Sequence, residues 1–488
     1  MGLALAGCAV GPDYRAPGPD VPAAWSRVES EAGITNEGAR SEPGSAAVGL
    51  RSDLSQWWSV LNDALLSELV EKAQQQSLDL RKARARLREA RARLAVAGAA
   101  RYPELEATGS ASRSESRVGA DLAGSQSASV EDNQFSAGFD ASWELDVFGG
   151  VRRGVEAAAA DQQSAEASLE DVRVSLVAEV ARNYVDVRSL EIRLGIARAN
   201  LASQTETLRL TEFRAQAGLV SAQDVEQART NREQTQAQVP ALEIDLATAE
   251  HRLDILLGSA PGTLHARLAA GGSLPEVPSR IAVGIPADTL RRRPDVRAAE
   301  RTLAAETARV AVAEAARYPS FQLSGSIAAE ALVEGATGNS AGAAYSLLGA
   351  VTAPIFDAGR RKAQVEGQDA VREEAELAYR QAVLTALQDV EDALVELARN
   401  RERGRSLSHA AESARSAAQL ARQRYAAGVI DFQSVIDTER TALAVEDTLA
   451  TTRADEVLAL IRLYKALGGG WSGEAGEPMP GTKSEGTS

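Results

Sequence analysis

Ala99-Ala100-Arg101-Tyr102-Pro103 returns as Ala315-Ala316-Arg317-Tyr318-Pro319, and the reading of this repeat decides the fold. Ahead of each copy the chain runs in the Ala/Arg/Glu/Leu pattern of a long helix. Proline halts that pattern, because it supplies no N–H and clashes with the preceding turn. An island rich in Ser, Gly and alternating apolar residues follows each copy. Each island closes on a phenylalanine and an arginine pair: Phe148 with Arg152 and Arg153, then Phe356 with Arg360 and Arg361. A very long helical pattern then begins.

Inside the first island Phe135, Ala137, Phe139, Ala141, Trp143, Leu145 and Val147 alternate with Ser136, Gly138, Asp140, Ser142, Glu144 and Asp146. In the second, Phe321, Leu323, Gly325, Ile327 and Ala329 alternate with Gln322, Ser324, Ser326, Ala328 and Glu330. A period of two is the strand signature. Partner strands are expected around Leu105 to Arg113 and Gly342 to Ile355, with loops over 114–133 and 333–341. Each island therefore reads as one β-hairpin, 104–148 and 320–356. Four strands leave open edges and cannot close a barrel. Apolar-outward, polar-inward strands of roughly ten residues fit a transmembrane β-barrel, which a membrane tolerates only when closed. Several chains are then required, and three would supply twelve strands. The alternative is a half-buried antiparallel sheet in a soluble protein.

The chain repeats itself. Gly218 matches Gly428 (428 − 218 = 210), and Arg101 matches Arg317 (317 − 101 = 216). The first repeat is read over 57–270, with a helix from about Asp79, the hairpin 104–148 and a long helical hairpin 152–257. The second is read over 271–467, with a helix, the hairpin 320–356 and a long helical hairpin 360–467. Asp79 and Asp295 stand where N-caps are expected. Apolar positions from Leu169 through Val180, Tyr184 and Leu194 to Leu201 recur near 3.5 to 3.6 residues, the period of gently supercoiled helices. The return helix carries a heptad seam from Val225 to Leu256, with Pro240 inside it as an expected kink. The fold class is mainly α with a small β part: a long-helix α-barrel and a β-barrel shared by a trimer.

Composition agrees. The chain has 488 residues, 4% aromatics, a net charge of −15 and a pI near 5.0. Such acidity argues against bulk nucleic-acid binding. The basic run Arg81, Lys82, Arg84, Arg86, Arg88, Arg91 and Arg93 lacks interleaved aromatics and reads as a solvated helix face. One cysteine excludes an intrachain disulfide, and His251, His265 and His409 lack ligand-spaced partners. No phosphate loop, nucleophile triad or carboxylate dyad is visible, so no enzyme, cofactor or metal is expected. No run approaches a transmembrane helix. The single cysteine closes Leu5-Ala6-Gly7-Cys8, which resembles a bacterial lipobox behind a shortened signal over 1–8; the expected covalent lipid is on Cys8. Residues 9–56 read as an extended strap, and Trp57-Trp58 as an aromatic anchor. The tail 468–488 reads as disordered.

Several segments together carry a family resemblance: Leu5 to Cys8 with Gly11-Pro12-Asp13-Tyr14; Trp57-Trp58; Pro240 to Glu243 leading to Leu256-Leu257-Gly258; Gly284-Ile285-Pro286 through Leu290 and Arg292-Arg293-Pro294-Asp295 to Glu300; and Tyr425 to Phe432 through Asp437. The chain resembles the TolC-like outer-membrane efflux proteins, in the lipoprotein (NodT/OprM-type) branch serving resistance-nodulation-division pumps. The resemblance implies a homotrimeric passive exit duct in the bacterial outer membrane that extends into the periplasm. Its partners would be a periplasmic adaptor and an inner-membrane pump. It places the adaptor-contacting turns at Gly218, Leu219, Gly428 and Val429. It places Asp437 in a carboxylate ring facing the narrowed lumen, which would repel itself, favour cations and make closure pH-dependent. It matches Asp224 and Tyr425 to a pair that latches neighbouring hairpins; Ile430 stands where some members carry a supporting basic residue. The alternatives are a type I secretion outlet, which shares the fold, and a structural periplasmic coiled-coil lipoprotein.

Overall fold

The computed structural model describes residues 9–18, 21–26, 34–35, 54–118, 128–283, 286–334 and 338–471. Cys8 and residues 472–488 lie outside the described residues. The elements fall into two near-identical series. A 3-10 segment over Leu54–Leu61 and α1 (Ala64–Gln76) precede α2 (Leu78–Ala99), and β1 (Ile34–Thr35) comes before them. Next come β2 (Glu104–Val118), β3 (Ala128–Leu145), α3 (Gly150–Gln216) and α4 (Ala222–Leu256). The short α5 (His265–Leu268), β4 (Ile281–Ala282) and α6 (Pro286–Arg292) connect to the second series. That series is α7 (Pro294–Ala315), β5 (Ser320–Glu334), β6 (Gly338–Thr352), α8 (Arg360–Ala426) and α9 (Phe432–Ala466). The duplication is visible in the lengths. Both α2 and α7 have 22 residues, α3 and α8 have 67, and α4 and α9 have 35.

Two compact units arise from these elements, each discontinuous in sequence: Met1–Gly18, Arg86–Ala165 and Ala298–Tyr379; and Pro19–Ala85, Glu166–Arg297 and Arg380–Ser488. The first holds a four-stranded antiparallel sheet of order β2-β3-β5-β6. Its central junction joins the two hairpins, from Asp132↔Glu334 to Leu145↔Phe321. Strands reach beyond the expected loops. β2 runs to Val118 and β3 starts at Ala128, because β-pairing continues where the side chains are Ser, Glu and Arg on both faces and alternation gives no sign. β6 ends at Thr352, short of the expected Ile355.

Helix ends follow capping chemistry. Gly218, Gly258, Gly428 and Gly468 all have positive φ (72°, 68°, 76° and 74°), the left-handed backbone that glycine adopts without Cβ penalty. At Gly218 the Leu219 N–H reaches Arg214 O and the Gly218 N–H reaches Ala215 O, both at 2.9 Å; at Gly428, Val429 reaches Arg424 O and Gly428 reaches Tyr425 O, again at 2.9 Å. These paired bonds close each helix on its own carbonyls. Asp79 and Asp295 are not N-caps. Ser77 (φ −53°, ψ 132°) separates α1 from α2 and leaves Asp79 in the first turn, bound to Lys82 at 3.0 Å. Pro294 opens α7, which suits a ring with fixed φ and no N–H, and Asp295 instead receives the Arg293 guanidinium at 2.7 and 3.0 Å. α1 is capped by Asp63, which accepts Leu66 N–H at 2.9 Å.

The second unit packs tightly around the end of α9. Trp57 is 2% exposed and stacks on Tyr464 with centroids 5.3 Å apart. Arg293, from the Arg-Arg-Pro-Asp block, is buried and donates to Asp389 at 2.9 Å and Ala466 O at 3.2 Å. It pins α7 to α8 and α9. A buried guanidinium needs this full set of acceptors, since losing one partner strands a charge.

Candidate functional site

Two places combine exposure with order: the faces of the sheet, and the turns that close the long helical hairpins.

In the sheet, register decides the faces. Cα partners across an antiparallel pair share a face. Phe139 opposes Ala107 and Ile327; Ile327 opposes Tyr345; Gly325 opposes Ala141 and Leu347; Phe321 opposes Leu145 and Val351. The four strands therefore gather most of their large apolar residues on one side, with Leu332 and Leu348 on the other. The apolar side is open: Phe139 is 54% exposed, Ile327 59% and Tyr345 88%. The other side is polar and self-bonded. Thr108 Oγ1 donates to Asp140 at 2.8 Å, and the hydroxyls of Ser110 and Ser136 lie 2.8 Å apart, those of Ser326 and Ser346 2.9 Å. A soluble monomer rarely leaves so large an apolar face uncovered. Among the described residues both outer strands, β2 and β6, have one unpaired edge.

The hairpin turns belong to the second unit. The α3–α4 turn is Ala217 to Ser221, and Ser221 with Asp224 forms a capping box: Asp224 N–H to Ser221 Oγ at 3.2 Å, Ser221 N–H to Asp224 at 3.0 Å. This reciprocal pair satisfies two donors that a helix start leaves orphaned. The α8–α9 turn is capped by Asp431, which accepts from Ser434 N–H at 3.0 Å and Ser434 Oγ at 2.5 Å. Those bonds hold the Asp431 carboxyl below its ordinary pKa. Leu219 and Val429, repeat equivalents, stand 67% and 69% exposed beside the two glycines.

Behind the turns lies an apolar cluster of Leu208, Ala228, Ala421, Tyr425, Phe432, Val435 and Ile436. Tyr425 is 1% exposed, with Phe432 at 5.4 Å and the Arg214 guanidinium 4.4 Å from its ring centre. Arg214 also donates to the Tyr425 carbonyl. The Tyr425 hydroxyl donates to Thr211 Oγ1 at 3.3 Å. Within the chain no hydrogen bond joins Tyr425 to Asp224, whose carboxylate is occupied by its capping box. Asp437 is exposed, and Gln433 Nε2 donates to it at 2.9 Å. Two residues further along α9, Glu439 is 3% exposed; burial raises its pKa, while the Thr207 hydroxyl at 2.8 Å and Arg422 at 3.8 Å oppose that rise.

Sequence reasoning missed Arg214 and Glu439. Arg214 carried a signal: it precedes Gly218 by four residues as Arg424 precedes Gly428. Glu439 carried none, since a glutamate in an Ala/Arg/Glu helix reads as solvated. Among the described residues no group of His, Cys, Asp and Glu could hold a metal ion, and no helix is long and apolar enough to cross a membrane.

Long capped helical hairpins in duplicate and an amphipathic sheet with a bare apolar face are the features that set this chain apart. Residues 69–259 and 285–469 match the family described as Outer membrane efflux protein, and the chain belongs to that family. It is 32% identical over 471 residues to Nodulation protein T of Rhizobium leguminosarum bv. viciae, covering 96% of this chain and 92% of that protein. It is 35% identical over 427 residues to the pyoverdine export outer membrane protein OpmQ of Pseudomonas aeruginosa, covering 87% and 89%. Among solved structures, the outer-membrane channel OprN superposes with a TM-score of 0.83 at 35% identity, covering 95% of this chain and all of that one.

Proposed function

We propose that this outer-membrane efflux protein is the exit duct of a tripartite system, a passive channel with no chemistry of its own. The observation that carries the reading is the sheet: one apolar face aligned by register, and two open edges. Lipid would cover the face. Edges are satisfied when β6 of one copy pairs with β2 of the next, and three copies make a closed ring of twelve strands. The exposed Leu219 and Val429 beside Gly218 and Gly428 would receive a periplasmic adaptor, which links the duct to an inner-membrane pump. Asp437, exposed near the α8–α9 turn, would contribute one carboxylate per copy to a cation-favouring constriction. A lipid on Cys8 would add a second hold on the membrane. Relatives named for pyoverdine export and for toluene efflux carry unlike cargoes, which fits a duct whose cargo is drugs or other small molecules chosen upstream.

Purified protein reconstituted in a planar bilayer tests this. Discrete ion conductance steps from trimeric preparations are the expected result. A water-soluble monomer that never forms pores would overturn the reading.

A further inference from the structure

Arg-Tyr-Pro follows α2 and α7, and an arginine pair stands in the first turn of α3 and of α8, so all four places fall where helices meet the sheet. Register puts them at one end, the foot of the sheet: Glu104 pairs with Ser142, Leu145 with Phe321, and Ser320 with Thr352. The Trp143 indole N–H donates to Arg101 O at 3.1 Å, which holds the end of α2 against the foot of β3. Phe148 stacks on Tyr318, centroids 4.8 Å apart, and lies 6.4 Å from Phe321. The Arg361 guanidinium donates to Ala316 O, which brings the start of α8 against the end of α7. Arg101, Arg317 and Arg360 therefore follow one another along the foot, before β2, before β5 and after β6.

Neither α3 nor α8 has an acidic residue in its first turn. Cations there meet the positive end of the helix dipole, so they need an anion close by. For some of them the anion lies within the chain. Arg152 pairs with Asp146 at 3.1 Å, Arg153 with Asp13, and Arg361 with Asp357 at 3.5 Å. The carboxylates of the connecting segments are thereby used. Glu104 and Glu144 lie on the polar face, opposite Ser142 and Gln322. Arg101, Arg317 and Arg360 are exposed, and none has an ion-pair partner among the described residues. In a chain of net charge −15, three unpaired guanidiniums at one level call for an anion from outside. The uncharged neighbours say which kind. The apolar face ends at this level with Leu145, Phe321 and Val351. Beside it Tyr102 is 72% exposed and Phe356 90%. Aromatic rings at the feet of apolar strands mark a membrane–water boundary, and an arginine there reaches headgroups rather than tails.

We propose that Arg101, Arg317 and Arg360 bind the headgroup phosphates of anionic phospholipids in the leaflet that meets the foot of the sheet. A planar guanidinium presents paired N–H groups to phosphate oxygens. Leu145, Phe321 and Val351 take the acyl chains. The row selects by net charge, because a zwitterionic lipid brings a cation of its own that unpaired arginines repel. The occupant is a lipid and not free phosphate: the arginines are continuous with the bare apolar face, and a free ion would use only the charged half. The inference rests on the duct reading, which sets the sheet in a membrane.

Native mass spectrometry of the full-length protein tests it, after release from vesicles of equal parts phosphatidylglycerol and phosphatidylcholine. The parent protein should retain phosphatidylglycerol. Arg101→Gln, Arg317→Gln and Arg360→Gln should each weaken that preference roughly fivefold, and the three together on the order of a hundredfold, as expected for arginines at an anionic surface. Excess inorganic phosphate should leave the retained lipid in place. Equal retention of both lipids by the parent, or an unchanged preference in the triple variant, would overturn the site. Displacement by inorganic phosphate would make it a site for the free ion and overturn the lipid assignment. Bilayer conductance of the same preparations separates the two readings. Pores without any lipid preference would overturn this inference and leave the duct standing, whereas a protein that never inserts would overturn the duct reading itself.

Discussion

Tyr425 separates two accounts of how the α8–α9 turn is held, through a hydroxyl or through a packed ring. In the structure the ring does most of the holding. It is buried, packed on Phe432, and covered by the Arg214 guanidinium, whereas its hydroxyl makes one long bond to Thr211. Tyr425→Phe removes only that bond. Thr211 Oγ1 keeps its own donor bond to Thr207 O at 2.9 Å, so no buried donor is stranded. The cost is about 0.5 kcal/mol, the low end for a neutral hydrogen bond. Tyr425→Ala removes the ring, and a buried aromatic truncated to Ala costs ~3–5 kcal/mol. Loss of the guanidinium–ring contact adds on the order of 1 kcal/mol. If that loss falls on local opening, the open population of the turn rises by about three to four orders of magnitude, at 1.4 kcal/mol per tenfold. Hydrogen exchange of the amides over 208–228 and 421–436 reads this directly, and bilayer conductance reads its consequence. Tyr425→Phe should resemble the parent protein in both, and Tyr425→Ala should exchange fast and leak. Equal leakage from the two variants would refute the packing argument and place the restraint in the hydroxyl, as a latch between hairpins requires.

Two further outcomes are expected. Glu439 is buried with a raised pKa, so the folded state binds its proton more tightly than the unfolded state; the stability it contributes is fully present below the ordinary value of 4.5 and is lost as pH rises through the raised one. Glu439→Gln should therefore melt higher than the parent at neutral pH, with the difference closing as pH falls toward 4.5; a constant difference across pH would show that the carboxyl does not titrate there. Asp437→Ala should raise resting conductance or weaken cation blockade, and unchanged behaviour would remove Asp437 from the lumen.

The duplication was legible because glycine, proline and the Arg-Tyr-Pro motif mark helix ends by backbone chemistry, which survives in both repeats. Strand faces were legible wherever alternation was clean, as from Phe135 to Leu145. The outer half of β2 was not, because Ser112 to Arg117 are polar on both faces. Helix starts were misplaced at Asp79 and Asp295, where the aspartate lies inside the first turn and the break is made by Ser77 or Pro294. Gly218 and Gly428 stand at the two turns with positive φ, as glycine's backbone freedom makes legible, but the packing behind the turns was not legible. Ser221 and Asp224 at capping-box spacing were legible, and the box is formed; nothing in the sequence says that the cation over Tyr425 comes from the other repeat's Arg214. Such contacts join residues 211 positions apart, and only packing reveals them.

The pairing of β3 with β5 has a kinetic consequence. Each hairpin closes locally, since Val118 pairs with Ala128 and Glu334 with Gly338. The strands that join them are far apart in sequence, with Leu145 opposite Phe321. Loop closure over such a span is slow, and pairing that depends on it comes late. During synthesis the first hairpin exists well before its partner has been made, with two bare edges and a bare apolar face. The order of emergence therefore obliges the cell to shield that hairpin until the second arrives, and it makes the β3–β5 junction the step most open to mispairing with another chain.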